Sequence, residues 1–216
     1  MSNSEQQISA KKNQLRKHLR AARNQAAQER SNIANQNLIS QLGQLNSFQT
    51  AQRLAIYLPI YSEFPTSAII EDTHSFQKEI YIPCISASQN KTMQFGLLQR
   101  DHQGKIQTKK LHKNIYHILE PQNLSESIAI DVQALDIIFM PLLGFNLNGD
   151  RLGMGGGYYD RALAFKNNAQ ANRKPCLIGL AYEAQLTHDL YPHPWDIKLD
   201  AVITEKQTYH FNSALL

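Results

Sequence analysis

The segment GDRLGMGGGYYDRAL (149–163) gathers Arg151, Asp160 and four glycines within five residues, Gly153, Gly155, Gly156 and Gly157. A loop of this kind, leaving a strand and opening a helix, presents unblocked backbone N–H groups and a helix N-terminus. Such a construction binds anions, phosphates above all, although a dense glycine cluster can also do no more than permit a tight turn. Two familiar phosphate loops are excluded, because GxGxxG is interrupted by Tyr158 and no Gly-Lys-Ser/Thr follows. Helix-end electrostatics contributes only about 0.3–1 kcal/mol per charge, whereas micromolar nucleotide binding needs roughly 8 kcal/mol. Side chains and a metal must therefore join in. Arg151 stands beside the loop, and Asp160 can either cap the following helix or hold Mg²⁺ next to phosphate oxygens. Asp196, in HPWDIKLD, is a second carboxylate.

Glu63 is the only acid in YLPIYSEFPTSAII (57–70), just past a strand end and between Pro59 and Pro65. Loops at strand ends are where binding residues concentrate. The eight histidines form no HxxxH or HExxH pair, which argues against zinc, and no GxSxG is present, which removes the usual α/β-hydrolase signal. Near the N-terminus Lys12, Arg16, Arg20 and Arg23 recur at helical spacing beside an apolar stripe of Leu15, Leu19, Ala22 and Ala26. This basic stripe reads either as a solvated face or nucleic-acid arm, or as a helix packed over a cleft that lends cations to a phosphate chain. Neither a helix-turn-helix pattern nor aromatic interleaving accompanies it.

The elements that must position these residues follow from periodicity. Helices are predicted over about 9–28 and again over 30–45, the second with Ile33, Leu38, Leu42 and Leu45 inward and an Asn/Gln-rich solvated face. Strands are predicted at RLAIYLP (53–59), EIYIPCI (79–85), ALDIIFMPLLGF (134–145), KPCLIGLAY (174–182) and DAVIT (200–204), with TMQFGLL (92–98) as a hairpin or edge strand. Thr66 is placed to cap a helix running through Thr73, and Lys105–Lys113 reads as a surface loop. Apolar strands alternating with helices argue for a mostly parallel α/β sheet flanked by helices on both faces.

The bulk properties agree. The 216 residues carry a net charge of +4, with 42% hydrophobic and 19% charged residues, which is a globular composition. Residues 1–30 hold seven basic side chains against Glu5 and Glu29, while the rest of the chain carries 15 basic and 16 acidic groups. A protein basic on all faces is thus excluded. No apolar run approaches the ~20 residues of a membrane span, and the polar start MSNSEQQ lacks the apolar core of a signal peptide. A cytoplasmic protein is expected, with Cys84 and Cys176 as buried reduced thiols.

Several segments together resemble one family. PLLGFNLNGDRLGMGGGYYDRAL (141–163) is similar to the signature P-x-x-x-F-D-x-x-G-x-R-L-G-x-G-x-G-Y-Y-D of the 5-formyltetrahydrofolate cyclo-ligases, also called 5,10-methenyltetrahydrofolate synthetases. Agreement continues in order through K-x-x-L-R (12–16), YLPIYSEFPT, IPCI, ILEP (118–121), GLAYEAQL and WDIKLDAVIT. The resemblance implies a single α/β domain like that of sugar-phosphate isomerases and CoA-transferases, acting as a monomer without nucleic acid or membrane. It implies ATP- and Mg²⁺-dependent conversion of 5-formyltetrahydrofolate to 5,10-methenyltetrahydrofolate through a phosphorylated formyl group. Carried over by position, Lys12, Arg16, Arg151, Gly153, Gly155, Gly156, Gly157 and Tyr159 would bind ATP. Leu58, Glu63, Met154 and Tyr158 would bind the folate, Arg151 and Tyr158 would act in catalysis, and Asp160 and Asp196 would hold Mg²⁺. This chain departs from the pattern at Met154 and Gly156, where some members are basic, at Asn146, usually Asp, and at His117, where many members have Gly. The first two departures shift phosphate contacts toward backbone amides, Arg151 and the N-terminal helix. Another phosphate-handling enzyme of the same fold, such as an isomerase, and a nucleic-acid module built on the basic helix are the alternatives.

Overall fold

The computed structural model describes residues 3–75, 77–85, 92–122, 129–168 and 174–212. The first half contains α1 (Asn3–Leu42), α2 (Asn46–Thr50), β1 (Arg53–Ala55), α3 (Ser67–Ser75), β2 (Glu79–Ile85), β3 (Met93–Leu97), β4 (Leu111–Lys113) and β5 (Leu119–Pro121). The second half contains β6 (Ala129–Ile130), β7 (Ile137–Pro141), β8 (Gly144–Phe145), β9 (Arg151–Leu152), α4 (Tyr158–Ala162), β10 (Cys176–Leu180), β11 (Ala201–Ile203) and β12 (Thr208–His210). Eight strands form the main sheet in the order β12-β11-β10-β7-β1-β2-β3-β6. From β11 to β2 every pairing is parallel, and β12, β3 and β6 add antiparallel edges. Of the two expectations for β3, the hairpin pairing holds, since it runs antiparallel beside β2, but it is internal, between β2 and β6, rather than an edge strand.

Alternation along each strand sends side chains to two buried faces. Leu54 and Ile56, Ile80 and Ile82, Ile137 and Phe139, and Ile178 and Leu180 meet α1 and α3 on one side. Ala55, Tyr81, Ile138, Met140, Leu177 and Val202 face a second layer on the other. The expected three-layer arrangement is present, but unequally built. Among the described residues the second layer holds α4, 3-10 turns and loops, including Leu163, Phe165, Ile197 and Leu199. Gly179 lies where this layer presses closest, since a Cβ there would sit 2.7 Å from Leu142, 2.8 Å from Leu199 and 3.0 Å from Val202. All three neighbours are buried, so Gly179→Ala is expected to cost about 1–3 kcal/mol of stability, read as a lower urea midpoint at constant m-value.

Several local expectations are corrected. The predicted helices over 9–28 and 30–45 are one helix of 40 residues. No Gly or Pro interrupts residues 3–42, so the polar stretch near Glu29 and Arg30 is a change of face and not a break. Ile33, expected inward, is 49% exposed, and Ala34 takes the inward position between Ala26 and Leu38. The amide-rich face is not merely solvated. Gln41 Nε2 donates to the Thr204 carbonyl at 2.8 Å and Asn37 Nδ2 to the Glu205 carbonyl at 3.0 Å, which docks the helix beyond the end of β11. Asn35 Oδ1 accepts from the Ala68 N–H at 3.2 Å at the start of α3. Thr66 does stand at the cap position before α3, its carbonyl accepting from the Ile69 and Ile70 N–H groups, while its hydroxyl donates to the Tyr57 carbonyl at 3.1 Å and α3 runs on to Ser75. The expected surface loop at Lys105–Lys113 contains a 3-10 turn over Thr108–Lys110 and β4, paired with β5. Cys84 and Cys176 are buried free thiols, as expected.

Candidate active site

Glu63 follows β1, the glycine segment follows β7, and Asp196 precedes β11 in the connection that leaves β10. These connections leave the carboxyl ends of parallel strands, the edge where open α/β sheets bind ligands. Between β7 and the glycines lies a small hairpin, β8 with β9, not the direct strand-to-loop passage predicted. Its turn is organised by Asn146, whose Oδ1 accepts from the Asn148 and Asp150 N–H groups and whose Nδ2 donates to Asp150 Oδ2 at 2.9 Å. The family's usual aspartate could accept but not donate there when ionised, so the departure is satisfied locally.

Gly155 and Gly157 have φ of 99° and 65°, left-handed values that favour glycine. Arg16 Nε donates to the Gly153 carbonyl at 3.0 Å and Arg161 Nη2 to the Gly156 carbonyl at 2.7 Å. No N–H from Gly153 through Gly157 donates to any described residue. Two cations thus turn the loop's carbonyls to the protein and leave a run of amide donors for an anion. The helix expected to add its dipole, α4, is a single turn of five residues, so the amides and cations carry the attraction.

Arg151 is nearly buried, and its Nη2 lies 2.7 Å from Asp160 Oδ1. Its Nε is buried without a hydrogen-bond partner. Asp160 does not cap α4: the same oxygen also accepts the Ile197 N–H at 3.2 Å. Next to it Asp196 Oδ2 accepts from the His193 N–H at 2.9 Å and from Lys12 Nζ at 3.4 Å. The other oxygen of each carboxylate, Asp160 Oδ2 and Asp196 Oδ1, has no partner among the described residues. Two carboxylates held by one short segment, each with a free oxygen, fit the hard-oxygen donor set of Mg²⁺ completed by phosphate. The same residues include no group of three or more His, Cys, Asp or Glu side chains that could hold a metal alone.

The basic stripe of α1 lies along this site. Lys12 reaches Asp196, Arg16 reaches Gly153, Arg20 Nη2 lies 3.8 Å from Met154 Sδ, and Arg23 reaches the Glu63 turn. Arg30 is apart, 3.6 Å from the buried Glu205. Glu63 closes a tight turn: its N–H donates to the Ile60 carbonyl at 3.2 Å, and its Oε2 accepts the Ile60 N–H at 3.0 Å. Burial pushes its carboxyl above the usual carboxylate value, against the Ile60 N–H and the Arg23 charge. Burial and the Glu63 charge also raise Tyr57 and Tyr159, which remain neutral. Leu58 packs its half-buried side chain on the core below.

Tyr158 meets a residue that the spacing did not single out. Its hydroxyl lies 3.0 Å from that of Tyr116, and Arg161 stacks over its ring at 5.3 Å. Asn114 shapes the Tyr116 loop by accepting from the Tyr116 and Ile118 N–H groups. His117, at the family's frequent glycine position, has φ of 60°. The left-handed backbone that explains a glycine there is retained with a side chain in place. Tyr116, Arg161 and Arg23 join the predicted residues.

An open, mostly parallel sheet with amide donors, cations and carboxylates gathered at its carboxyl edge defines an α/β protein with a polar candidate site at the edge where such sheets bind ligands. Residues 8–205 match the sequence profile of the 5-formyltetrahydrofolate cyclo-ligase family, and the chain belongs to that family of ligases. It is 30% identical over 189 residues to the 5-formyltetrahydrofolate cyclo-ligase of Haemophilus influenzae, covering 88% of this chain and 95% of the relative. The mouse enzyme of the same name is 30% identical over 194 residues, 89% and 90% of the two chains. The structure of Aquifex aeolicus 5,10-methenyltetrahydrofolate synthetase superimposes with a TM-score of 0.72 at 27% identity, covering 94% of this chain and 93% of that one. Among the described residues no helix is long and apolar enough to cross a membrane.

Proposed function

We propose that this protein, as a single cyclo-ligase domain, cyclises 5-formyltetrahydrofolate to 5,10-methenyltetrahydrofolate at the expense of ATP, releasing ADP and phosphate. The observation that carries this reading is the run of N–H groups at Gly153–Gly157 without partners among the described residues, flanked by Lys12, Arg16 and Arg151 and at the same sheet edge as the half-buried Glu63. The formyl oxygen attacks the γ-phosphorus and ADP departs. The N10 amine then adds to the formyl carbon, loses its proton, and phosphate leaves with the former formyl oxygen. Both steps need positioning and charge stabilisation rather than a protein nucleophile.

Lys12, Arg16, the loop amides and Tyr159 hold the nucleotide, and Arg151 neutralises charge that develops on the transferring phosphoryl group. Glu63 accepts from the donor edge of the pterin, with Leu58 and Met154 as apolar walls. Tyr158, steadied by Tyr116, lies between the two halves. Asp160 and Asp196 would hold Mg²⁺, which supplies charge neutralisation of the phosphates. We place the reaction in the cytoplasm, in keeping with Cys84 and Cys176, whose thiols burial pushes up to about 12.

The direct test incubates the purified protein with MgATP and 5-formyltetrahydrofolate and follows the absorbance of the methenyl product. Absence of ATP-dependent product at high enzyme concentration removes the proposal. Salt-sensitive DNA retention without ATP or folate would favour the nucleic-acid alternative. Asp160 holds Arg151 at 2.7 Å whereas Asp196 holds Lys12 more loosely, at 3.4 Å, so Asp196 is the cleaner probe of the metal. Asp196→Asn is expected to raise the Mg²⁺ concentration for half-maximal rate about tenfold, the scale of losing roughly 1.4 kcal/mol of binding. An unchanged Mg²⁺ requirement would take Asp196 out of the metal site.

A further inference from the structure

Arg23 is a buried cation of the stripe that the phosphate half of the site does not use. It is only 4% exposed, a position that costs a guanidinium heavily unless it is paired and hydrogen-bonded. Its Nε donates to Ser62 Oγ at 3.2 Å, and Ser62 Oγ donates in turn to Asn24 Oδ1 of the same helix. Its Nη1 stands 3.9 Å from Glu63 Oε1. That separation is beyond hydrogen-bond reach and well outside the ~2.8 Å of a forked arginine–carboxylate pair. Glu63 Oε2 is engaged by the Ile60 N–H, while Oε1 accepts no hydrogen bond among the described residues. Arg23 therefore lends its charge to the carboxylate without occupying the free oxygen.

We propose that Arg23 is a positioning residue for the folate half of the site: anchored by Ser62, it holds its charge beside the largely buried carboxylate of Glu63 and leaves Oε1 open to a donor on the substrate. The inference rests on the reading of Glu63 as the carboxylate that grips the pterin. The groups facing Glu63 are Arg23 from α1, Tyr57 from the segment after β1, Tyr159 from α4, and the Ile60 N–H of its own turn. Arg20 and Tyr182 act on Arg23 in turn. Both tyrosines facing Glu63 are neutral near pH 7, so burial of the carboxylate is offset first by the Ile60 N–H and then by Arg23, the cation among these groups. Without it Glu63 keeps its proton to a higher pH. A protonated carboxyl has become a donor at one oxygen and cannot take two donors from the substrate.

The experiment measures kcat/KM for 5-formyltetrahydrofolate from about pH 5 to 8 at saturating MgATP in the wild type, Arg23→Gln and Arg23→Lys. In Arg23→Gln the acid limb is expected to move about one pH unit upward and the folate KM on that limb to rise up to about tenfold, with the ATP KM within twofold. Arg23→Lys is expected to return most of the limb. A limb that stays in place in folded Arg23→Gln, or an ATP KM that rises in parallel with the folate KM, overturns the proposal. If Arg23→Gln does not fold, Ser62→Ala decides: it leaves the charge but releases its anchor, and an unchanged folate KM in that variant overturns the proposal. Glu63→Gln separates the two readings. An unchanged folate KM there removes Glu63 from the folate site, whereas a raised one with an unmoved limb in Arg23→Gln removes only the role of Arg23.

Discussion

Arg151→Met is expected to lower kcat by about two to three orders of magnitude, the scale seen when one preorganised donor to a developing anion is lost. The effect falls on kcat more than on the ATP KM, because Lys12, Arg16 and the loop amides still hold the ground-state phosphates. The side chain enters at the head of β9, nearly buried, with Nη2 on Asp160 and a buried Nε that has no protein acceptor. Such an orphaned donor is costly in the free protein and is satisfied by an oxyanion placed beside it. Stability should fall as well, by about 1–3 kcal/mol; this is below the ~3–5 kcal/mol of a fully buried pair because Asp160 keeps contact with solvent. Arg151→Lys separates the two effects, since a point charge can partly neutralise Asp160 but cannot reproduce the fork. Single-turnover rates and urea melts on both variants check this. A kcat for Arg151→Met within tenfold of the wild type would place the chemistry elsewhere.

The sheet was legible because its signal is local. Runs such as EIYIPCI are apolar on both faces over a strand's length, and β2 occupies the predicted 79–85. The glycine loop was legible for a related reason, since four glycines in five residues are hard to reconcile with regular structure. Spacing alone even placed Lys12, Arg16, Arg20 and Arg23 on one face of α1. Spacing does not disclose that this face meets the loop, Asp196 and Glu63, since those contacts depend on how α1 crosses the sheet.

What stayed hidden depends on partners distant in sequence. The amides of Asn35, Asn37 and Gln41 look like solvated residues until the carbonyls after β11 and the start of α3 come within reach. Tyr116 is one aromatic in a polar loop, 42 residues from its partner Tyr158. The two readings of Asp160, cap or ligand, missed a third, an ion pair with Arg151. The site's cations and carboxylates are paired with one another, Arg151 with Asp160 and Lys12 with Asp196. On the proposed reading, a phosphate chain with its metal would replace both pairings at once, cations turning to phosphate and carboxylates to metal. Such an exchange would let a highly charged ligand bind without leaving the paired charges uncompensated.

Glu63→Gln is expected to raise the folate KM about 10- to 150-fold near pH 7 while the ATP KM stays within twofold. The amide keeps the shape of the turn but removes the charge, and hydrogen bonds to a charged group are worth about 1.5–3 kcal/mol, with 1.4 kcal/mol per factor of ten. The same variant carries a stability signature of known sign. Burial raises the folded carboxyl above its unfolded value near 4.5, so the folded state holds this proton more tightly than the unfolded chain. The contribution of Glu63 to stability is therefore complete below the unfolded value and is lost as pH rises through the folded one. Glutamine does not titrate. The unfolding free energy of the wild type minus that of Glu63→Gln should decline from about pH 4 upward and then level off, as urea melts at several pH values would measure. A difference that rises with pH instead would mean that Arg23 and the Ile60 N–H outweigh burial, holding the carboxylate as a stabilising ion pair. With the expected sign, the ionised form that the substrate needs is the one the fold tolerates less well. Substrate donors that reach Oε1 then supply the hydrogen bonds the free protein lacks there, and discrimination at this end of the site comes from that need.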